Sequence, residues 1–242
     1  MTAHIMIIIA MISAIQSMFG AGVLLFGTPL LLLFGHEFVD VLVLLLPISI
    51  AINLLQIQQH HAHIDFSFYR KIVFLTLPPI ALFLFLVTHV RINIGLIIGP
   101  FLLFIALKES SAAIASVINR MMRYETAYFV SMGIVHGLSN LGGSLLTAFI
   151  HHKEYPKDVA RVTVAASYAT FAAIQLLTLW LFNGQQVHVP VYDNMIYLSV
   201  GSLIFVYIDA VFYAQVEAEK YRRIFALFLA LSGGVLILKA LA

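Results

Sequence analysis

Apolar runs alternate with short polar stretches along the chain, and the lengths of the runs predict its elements. A helix needs about 20 apolar residues to span a membrane. The first run, from about His4 to Phe34, is too long for one straight span and too short for two, and Gly20, Gly22, Gly27 and Pro29 interrupt it. The pattern predicts two half-length helices, 4–18 and 22–34, meeting at a glycine turn. Spans follow at 37–58, 71–89 and 92–109, the last two joined by a tight turn from Thr88 to Asn93. ESSAAIASVINRMMR, between Glu109 and Arg123, reads as an amphipathic connector on the membrane surface.

The second half repeats the plan, with half-helices at 124–139 and 142–152 and spans at 157–182, 192–214 and 221–241. Setting Gly22 on Gly143 also sets Glu37 on Asp158 and Asp40 on Arg161. Weak internal repeats of this kind are a mark of transporter folds. The expected division is a first membrane repeat over 1–110, the connector over 111–123 and a second repeat over 124–242.

Composition names the solvent. The chain is 62% hydrophobic and 10% charged, with a mean hydropathy of +1.02. Soluble domains have roughly 45–50% apolar and about 25% charged residues, so a multi-pass membrane protein is expected. The first apolar segment has no basic region and no small-residue cleavage site, and is expected to be retained. Cysteine is absent, which removes disulfides and thiol chemistry.

Charge placement decides the topology. If each half-helix pair crosses the membrane, basic loops fall on both sides, against the positive-inside tendency. If each pair dips in and returns, Arg70, Lys71, Lys108, Arg120, Arg123, Lys153, Lys157, Lys220, Arg222 and Arg223 share the cytoplasmic side, leaving Arg91 and Lys239 outside. The expected fold is therefore an all-α integral membrane protein of two inverted repeats, each a re-entrant half-helix hairpin plus three transmembrane helices. It would lie in the cell inner (plasma) membrane with both termini outside the cytoplasm.

Polar, flexible residues inside apolar runs point to a site. In a membrane, backbone that is not cleanly helical is tolerated only where protein or a water-filled cavity covers it. HGLSNLGGSLLTAFIHHKEYP, from His136 to Pro156, is the richest such stretch. Each predicted tip starts a half-helix, whose first amides lack intrahelical acceptors and whose dipole is positive there. Two such starts converging near the midplane would hold a small, oxygen-rich anion. The candidate substrate-binding residues are Ser17, Gly20, Ala21 and Gly22 at the first tip, and His136, Ser139, Asn140, Gly142, Gly143 and Ser144 at the second. Thr147 and the flanking Gln16, Asn53, Gln56, Tyr168, Thr170 and Gln175 are further polar positions.

Arg161, about one turn into its helix and near the base of the second hairpin, either grips a small oxyanion in fork geometry or snorkels to the headgroups. Asp209 either couples transport to protons or stays hydrated near the cytoplasmic end. Gly95, Gly99, Gly233 and Gly234, in unbroken segments, read as helix-packing positions. His60, His61 and His63 have metal-ligand spacing but no matching cysteine or carboxylate set, and read as a solvated interface. No metal or cofactor is expected.

Phe19-Gly20-Ala21-Gly22 with Thr28-Pro29-Leu30, and Gly137-Leu138-Ser139-Asn140-Leu141-Gly142-Gly143 with Ala160 and Thr163, resemble the TauE/SafE family of sulfite and organosulfonate exporters. The likeness spans essentially the whole chain. Ala21 interrupts the family's first triple glycine, Ser144 ends the second, and the second half lacks a counterpart of Pro29. The resemblance implies transport of a sulfur-containing anion; the residues alone support a small anion.

No HExxH, Gly-x-Ser-x-Gly or Walker motif occurs, so membrane protease, esterase and ATP-driven pump lack their chemistry. The expected activity is secondary transport by alternating access, with Pro47, Pro78, Pro79 and Pro100 as flexure points. A passive anion channel or a non-transporting membrane subunit are the rivals. The expected partners are a small anion and the lipid bilayer, without nucleic acid; a homodimer is open to it.

Overall fold

Both glycine-containing turns break their runs. Helix α1 (Ala3–Phe19) gives way to α2 (Val23–Leu33), and α7 (Glu125–Ser139) to α8 (Gly143–His152). After the first pair come α3 (Phe38–His60), α4 (Phe66–His89), α5 (Gly95–Ser110) and the connector α6 (Ala112–Met122). After the second come α9 (Lys157–Phe182), α10 (Val191–Phe212) and α11 (Ala218–Leu241). This computed structural model describes residues 3–20, 22–90, 92–182, 188–212 and 218–241. Ala21 and Arg91, singled out by the sequence, lie outside the described residues, as do the side chains of Lys220, Arg222 and Arg223. The described residues contain helices and no strand.

Stretches of α3, α4, α9 and α10 are long and apolar enough to cross a membrane. The apolar parts of α5 and α11 are shorter, Gly95–Lys108 and Ala226–Leu241. At α5 the cause is local. Asn93 accepts the Gly95 N–H at 3.1 Å and donates to the Ala240 carbonyl at 3.0 Å, which holds the chain in a turn until Gly95. Helix α4 starts before its expected first residue, Lys71, because the Asp65 carboxylate accepts the Phe68 N–H at 2.9 Å and caps the polar first turn.

The main helix pairings map onto one another when the halves are exchanged, although α2 packs on α11 without a comparable contact of α8 on α5 among the described residues. Helix α3 packs on α9 and α5 on α11, while α1 on α10 corresponds to α7 on α4. The directions of these pairs can be read from individual contacts. Added methyl groups on Gly95 and Gly99 would strike Ala240 and Ile237, so α5 and α11 run antiparallel. Gln56, late in α3, meets Arg161, early in α9, so this pair is antiparallel too. Gly133 faces Thr76 and Gly137 faces Ile80 and Leu84, so α7 and α4 are parallel.

Polar contacts collect at the two ends. At one end His4 meets His36 at 3.0 Å and stacks on Phe34, Lys239 donates to the Leu33 carbonyl at 3.1 Å, and Asp40 accepts the His188 N–H at 2.8 Å. At the other, Tyr155 donates to Asp65 at 2.6 Å, Lys153 lies 4.5 Å over the Phe68 ring, and Lys71 pairs with Glu125. The start of α1 thus lies beside the end of α2.

Gly95, Gly99 and Gly233 sit in close helix contacts. Gly234 does not: a methyl group there would meet nothing within 4 Å, which corrects the packing expectation at that position.

Candidate functional site

The two turns share one construction. Gly20 and Asn140 both adopt left-handed backbone, at φ +74° and +62°. Their N–H groups donate to the carbonyls of Gln16 and His136, each at 2.8 Å. Glycine takes this conformation without strain and asparagine is among the few other residues that visit it. Gly22 and Gly142 then precede the new helices, and a side chain on Gly142 would strike the Met132 carbonyl and His136 at 2.6 Å. The backbone equivalence is Gly22 with Gly142, one residue away from the alignment on Gly143.

Gln16 spans the first turn. Its amide nitrogen donates to the Gly20 carbonyl at 3.1 Å and to Asn53 Oδ1 at 3.4 Å, while its oxygen accepts the Val23 N–H at 3.0 Å. Asn53 donates to the Ser49 carbonyl and hydroxyl at 2.8 and 3.1 Å. Gln56, with its oxygen turned to the guanidinium as its neighbours require, accepts from Arg161 Nε and Nη2 at 3.3 Å and donates to Asn53 at 3.1 Å.

Arg161 anchors this network. Its Nη2 donates to Asp209 Oδ1 at 2.5 Å and to the Ser17 carbonyl at 3.3 Å. Arg161 and Asp209 are each only 8% exposed, so the arginine does not snorkel to headgroups and the aspartate does not sit in water. A buried guanidinium needs such compensation, because unpaired charge inside a protein is very unfavourable. Gly20 lies against the arginine's stem, with a hypothetical methyl group 3.5 Å from Cγ.

The second turn is neutral. Asn140 donates to Thr28 Oγ1 at 3.0 Å, and His136 Nε2 meets Gln175 Oε1 at 3.1 Å. Tyr168 presses on Gly143 so closely that a methyl group there would fall 1.8 Å from the phenolic oxygen. Arg161, Tyr168 and Gln175, seven apart, share one buried face of α9.

The structure does not bring the two turns to a single point. Gly20 lies over Arg161 and Gly143 over Tyr168, which are separated by about 10 Å at the helical rise of 1.5 Å per residue. Several expected donors are also already used. Val23 N–H goes to Gln16, and the Ser144 and Leu145 amides go to Leu141 and Gly142 at 3.1 and 3.0 Å. Ser139 and Ser144 each give their one hydroxyl proton to a carbonyl of their own turn, Val135 and Leu141, and Thr147 gives its own to Gly143. Thr170 is drawn away to Tyr69 at 2.7 Å. In contrast, Ser17 Oγ, His136 Nδ1, Asn140 Oδ1 and Gln175 Nε2 are buried with no hydrogen-bond partner among the described residues. Groups of this kind are uncommon and call for an explanation.

The sequence reading named Ser17, Gly20 and Arg161 as candidates but set Arg161 near the base of the second hairpin, without the contact with the first turn that the structure shows. It did not connect them to Gln16, Asn53 and Gln56 or to Asp209, and Thr28 was not a site candidate. The readable signals were the seven-residue spacing on α9 and the amide four residues before the turn. At the end bearing His4, Glu37, Asp40 and His188 bring possible cation ligands within 4.8 Å of one another beside a cavity of about 250 Å³ that His36 and Asp193 also line. In this structure His188 serves there as a double donor to Asp40, through its backbone N–H and, at 3.2 Å, its ring.

Apolar helices of spanning length, two broken helices and a buried ion pair among them define a multi-pass membrane protein of the transporter class. The chain belongs to the sulfite exporter TauE/SafE family, whose model matches residues 5–236. This is a family of membrane transporters and not of enzymes. No curated protein and no solved structure matches the chain.

Proposed function

We propose that this chain is a secondary transporter for a small sulfur oxyanion, of the sulfite or organosulfonate class, working by alternating access. The observation that carries the reading is Arg161, a buried guanidinium held at the first helix break. Its planar fork matches a sulfite or sulfonate group, and it is a fixed charge where amides alone are mostly engaged. Ser17 Oγ offers a neutral donor beside it, and Gly20 keeps the approach open. The neutral turn at Asn140, with His136 and Tyr168, forms the second station about two helical turns further along α9.

Contacts at the two ends support inverted, re-entrant repeats. The His4–His36 contact favours a first hairpin that returns to its own side. The Tyr155–Asp65 bond favours one side for the loops near Lys71 and Lys157, as the positive-inside tendency requires. Antiparallel α5–α11 and α3–α9 pairs are what a two-fold axis in the membrane plane would produce. The 17 residues of α1 and 15 of α7 reach about 25 and 22 Å into a core of about 30 Å. These lengths favour turns at or past the middle, with the substrate passing from one turn to the other instead of bridging both.

The test is a thermal-shift series on purified protein with sulfite, sulfate, thiosulfate, taurine, sulfoacetate and chloride. Ligand at one hundred times its Kd adds about 2.7 kcal/mol of stability. Sulfur oxyanions should stabilise more than chloride, and Arg161→Gln should remove the effect. Absence of stabilisation by every sulfur anion would overturn the proposal. Counterflow of labelled substrate in liposomes separates a carrier from a passive anion channel, whose flux would grow linearly with the gradient.

A further inference from the structure

Building on this reading, we infer that Asp209 and the transported anion are mutually exclusive partners of Arg161, so that each anion charge bound brings one proton onto Asp209. The carboxylate occupies the guanidinium in the manner of an oxyanion, with one oxygen 2.5 Å from Nη2. A sulfonate taking that place would leave Asp209 charged, buried and without its cation. Proton uptake is the balanced alternative. The Arg161–Asp209 ion pair, a proton and the anion become an Arg161–anion pair and a neutral carboxylic acid, with no net charge moved and no bond other than the O–H formed.

Asp209 is the carboxylate that the guanidinium holds, and the described groups around the pair come from three helices. From α9 the charged side chain bonded to it is Arg161. From α1 the group reaching the pair is the Ser17 carbonyl, and from α3 it is Gln56, backed by Asn53 and Gln16, all neutral. The same exchange has a structural route outward. Arg161 is joined through Gln56 and Asn53 to Gln16, and Gln16 holds both sides of the first turn. A guanidinium that turns from Asp209 to a substrate pulls on the network that fixes the break.

The experiment uses isethionate, a sulfonate that stays a monoanion from acid to neutral conditions, so that its own protonation does not confuse the result. In weakly buffered detergent solution, saturating the wild-type protein with isethionate should take up one proton per bound anion, read with a pH dye. Binding without proton uptake overturns the inference while leaving the proposed substrate class standing; no binding of any sulfur anion removes both. In proteoliposomes Asp209→Asn should lose accumulation driven by a pH gradient, and in detergent its binding of isethionate should take up no proton. Accumulation at the wild-type level in Asp209→Asn overturns it as well, and the wild-type proton count decides the matter if that variant does not fold.

Discussion

Gln16 and His136 occupy the same place in the two halves. Each lies four residues before a left-handed residue, each accepts that residue's N–H at 2.8 Å, and each extends its side chain to a polar group on a long helix, Asn53 at 3.4 Å and Gln175 at 3.1 Å. One backbone solution has been furnished with an amide in one half and an imidazole in the other. His136→Gln should therefore leave thermal stability close to wild type. Gln16→Leu should lower it by about 1–3 kcal/mol, because the Gly20 carbonyl and Val23 N–H lose their shared partner. Equal losses in both variants would argue against the equivalence.

Tyr168 and Gly143 are in contact without room for a Cβ, since a methyl group on Gly143 would meet Oη, Cζ and Cε1 at 1.8, 2.1 and 2.3 Å. Gly143→Ala should destabilise by about 1–3 kcal/mol through overpacking. Adding Tyr168→Ala should recover part of that loss, whereas Tyr168→Phe should not, because the ring carbons remain. A double-mutant cycle on melting temperatures measures the coupling.

The buried ion pair has opposite consequences for stability and activity. Asp209→Ala should cost about 3–5 kcal/mol by stranding Arg161, whereas Arg161→Met combined with Asp209→Leu should restore most of the stability. The double variant should still transport nothing. Transport by it would show that the anion does not need the guanidinium.

Asp65 gives a pH signature away from the apolar helices. The Phe68 N–H first, then the Tyr155 hydroxyl and Lys153, hold its carboxyl below the usual 3.8. A lowered folded value means that its stabilisation is complete above the unfolded value and disappears as pH falls through the folded one. At neutral pH Asp65→Ala should cost about 1 kcal/mol as a lost helix cap. The gap between variant and wild type should close in acid, below about pH 4. A gap that widened on acidification would assign the effect to another group.

Topology can be read on a background free of cysteine. Single cysteines at Glu37 and His188 should react with an impermeant maleimide from one side of the membrane, and those at His63 and His152 from the other. Labelling of the His63 and His152 positions from different sides would remove the re-entrant arrangement of α7 and α8.

The elements were legible because breakers and run lengths are local. Gly20, Gly22 and Gly142 marked the turns, and the connector lay between two charged clusters. The start of α4 was missed because Ser67, Arg70 and Lys71 look like a loop until Asp65 is seen to cap them. What a sequence pattern does not encode is which polar faces meet. Arg161 and Asp209 are 48 residues apart and Asn140 and Thr28 are 112 apart, and each pairing depends on helix rotation in the packed bundle. Both helix breaks were legible, and the expected bounds of α1 and α7 differ from the observed ones by a single residue at each end that moved, but where the two turns lie against α9 depends on packing that the pattern does not encode.

Helices α5 and α11 touch backbone to backbone. Gly99 faces the Gly233 carbonyl and Gly233 the Gly99 carbonyl, each so near that a single added methyl would lie 2.9 or 2.7 Å from oxygen. A seam this close, with Ile237 packed on Gly99 and Leu102 on Gly233, resists sliding, because an axial slip would drive either side chain into a peptide group. If the two halves move against each other, this seam favours turning about its line over sliding along it.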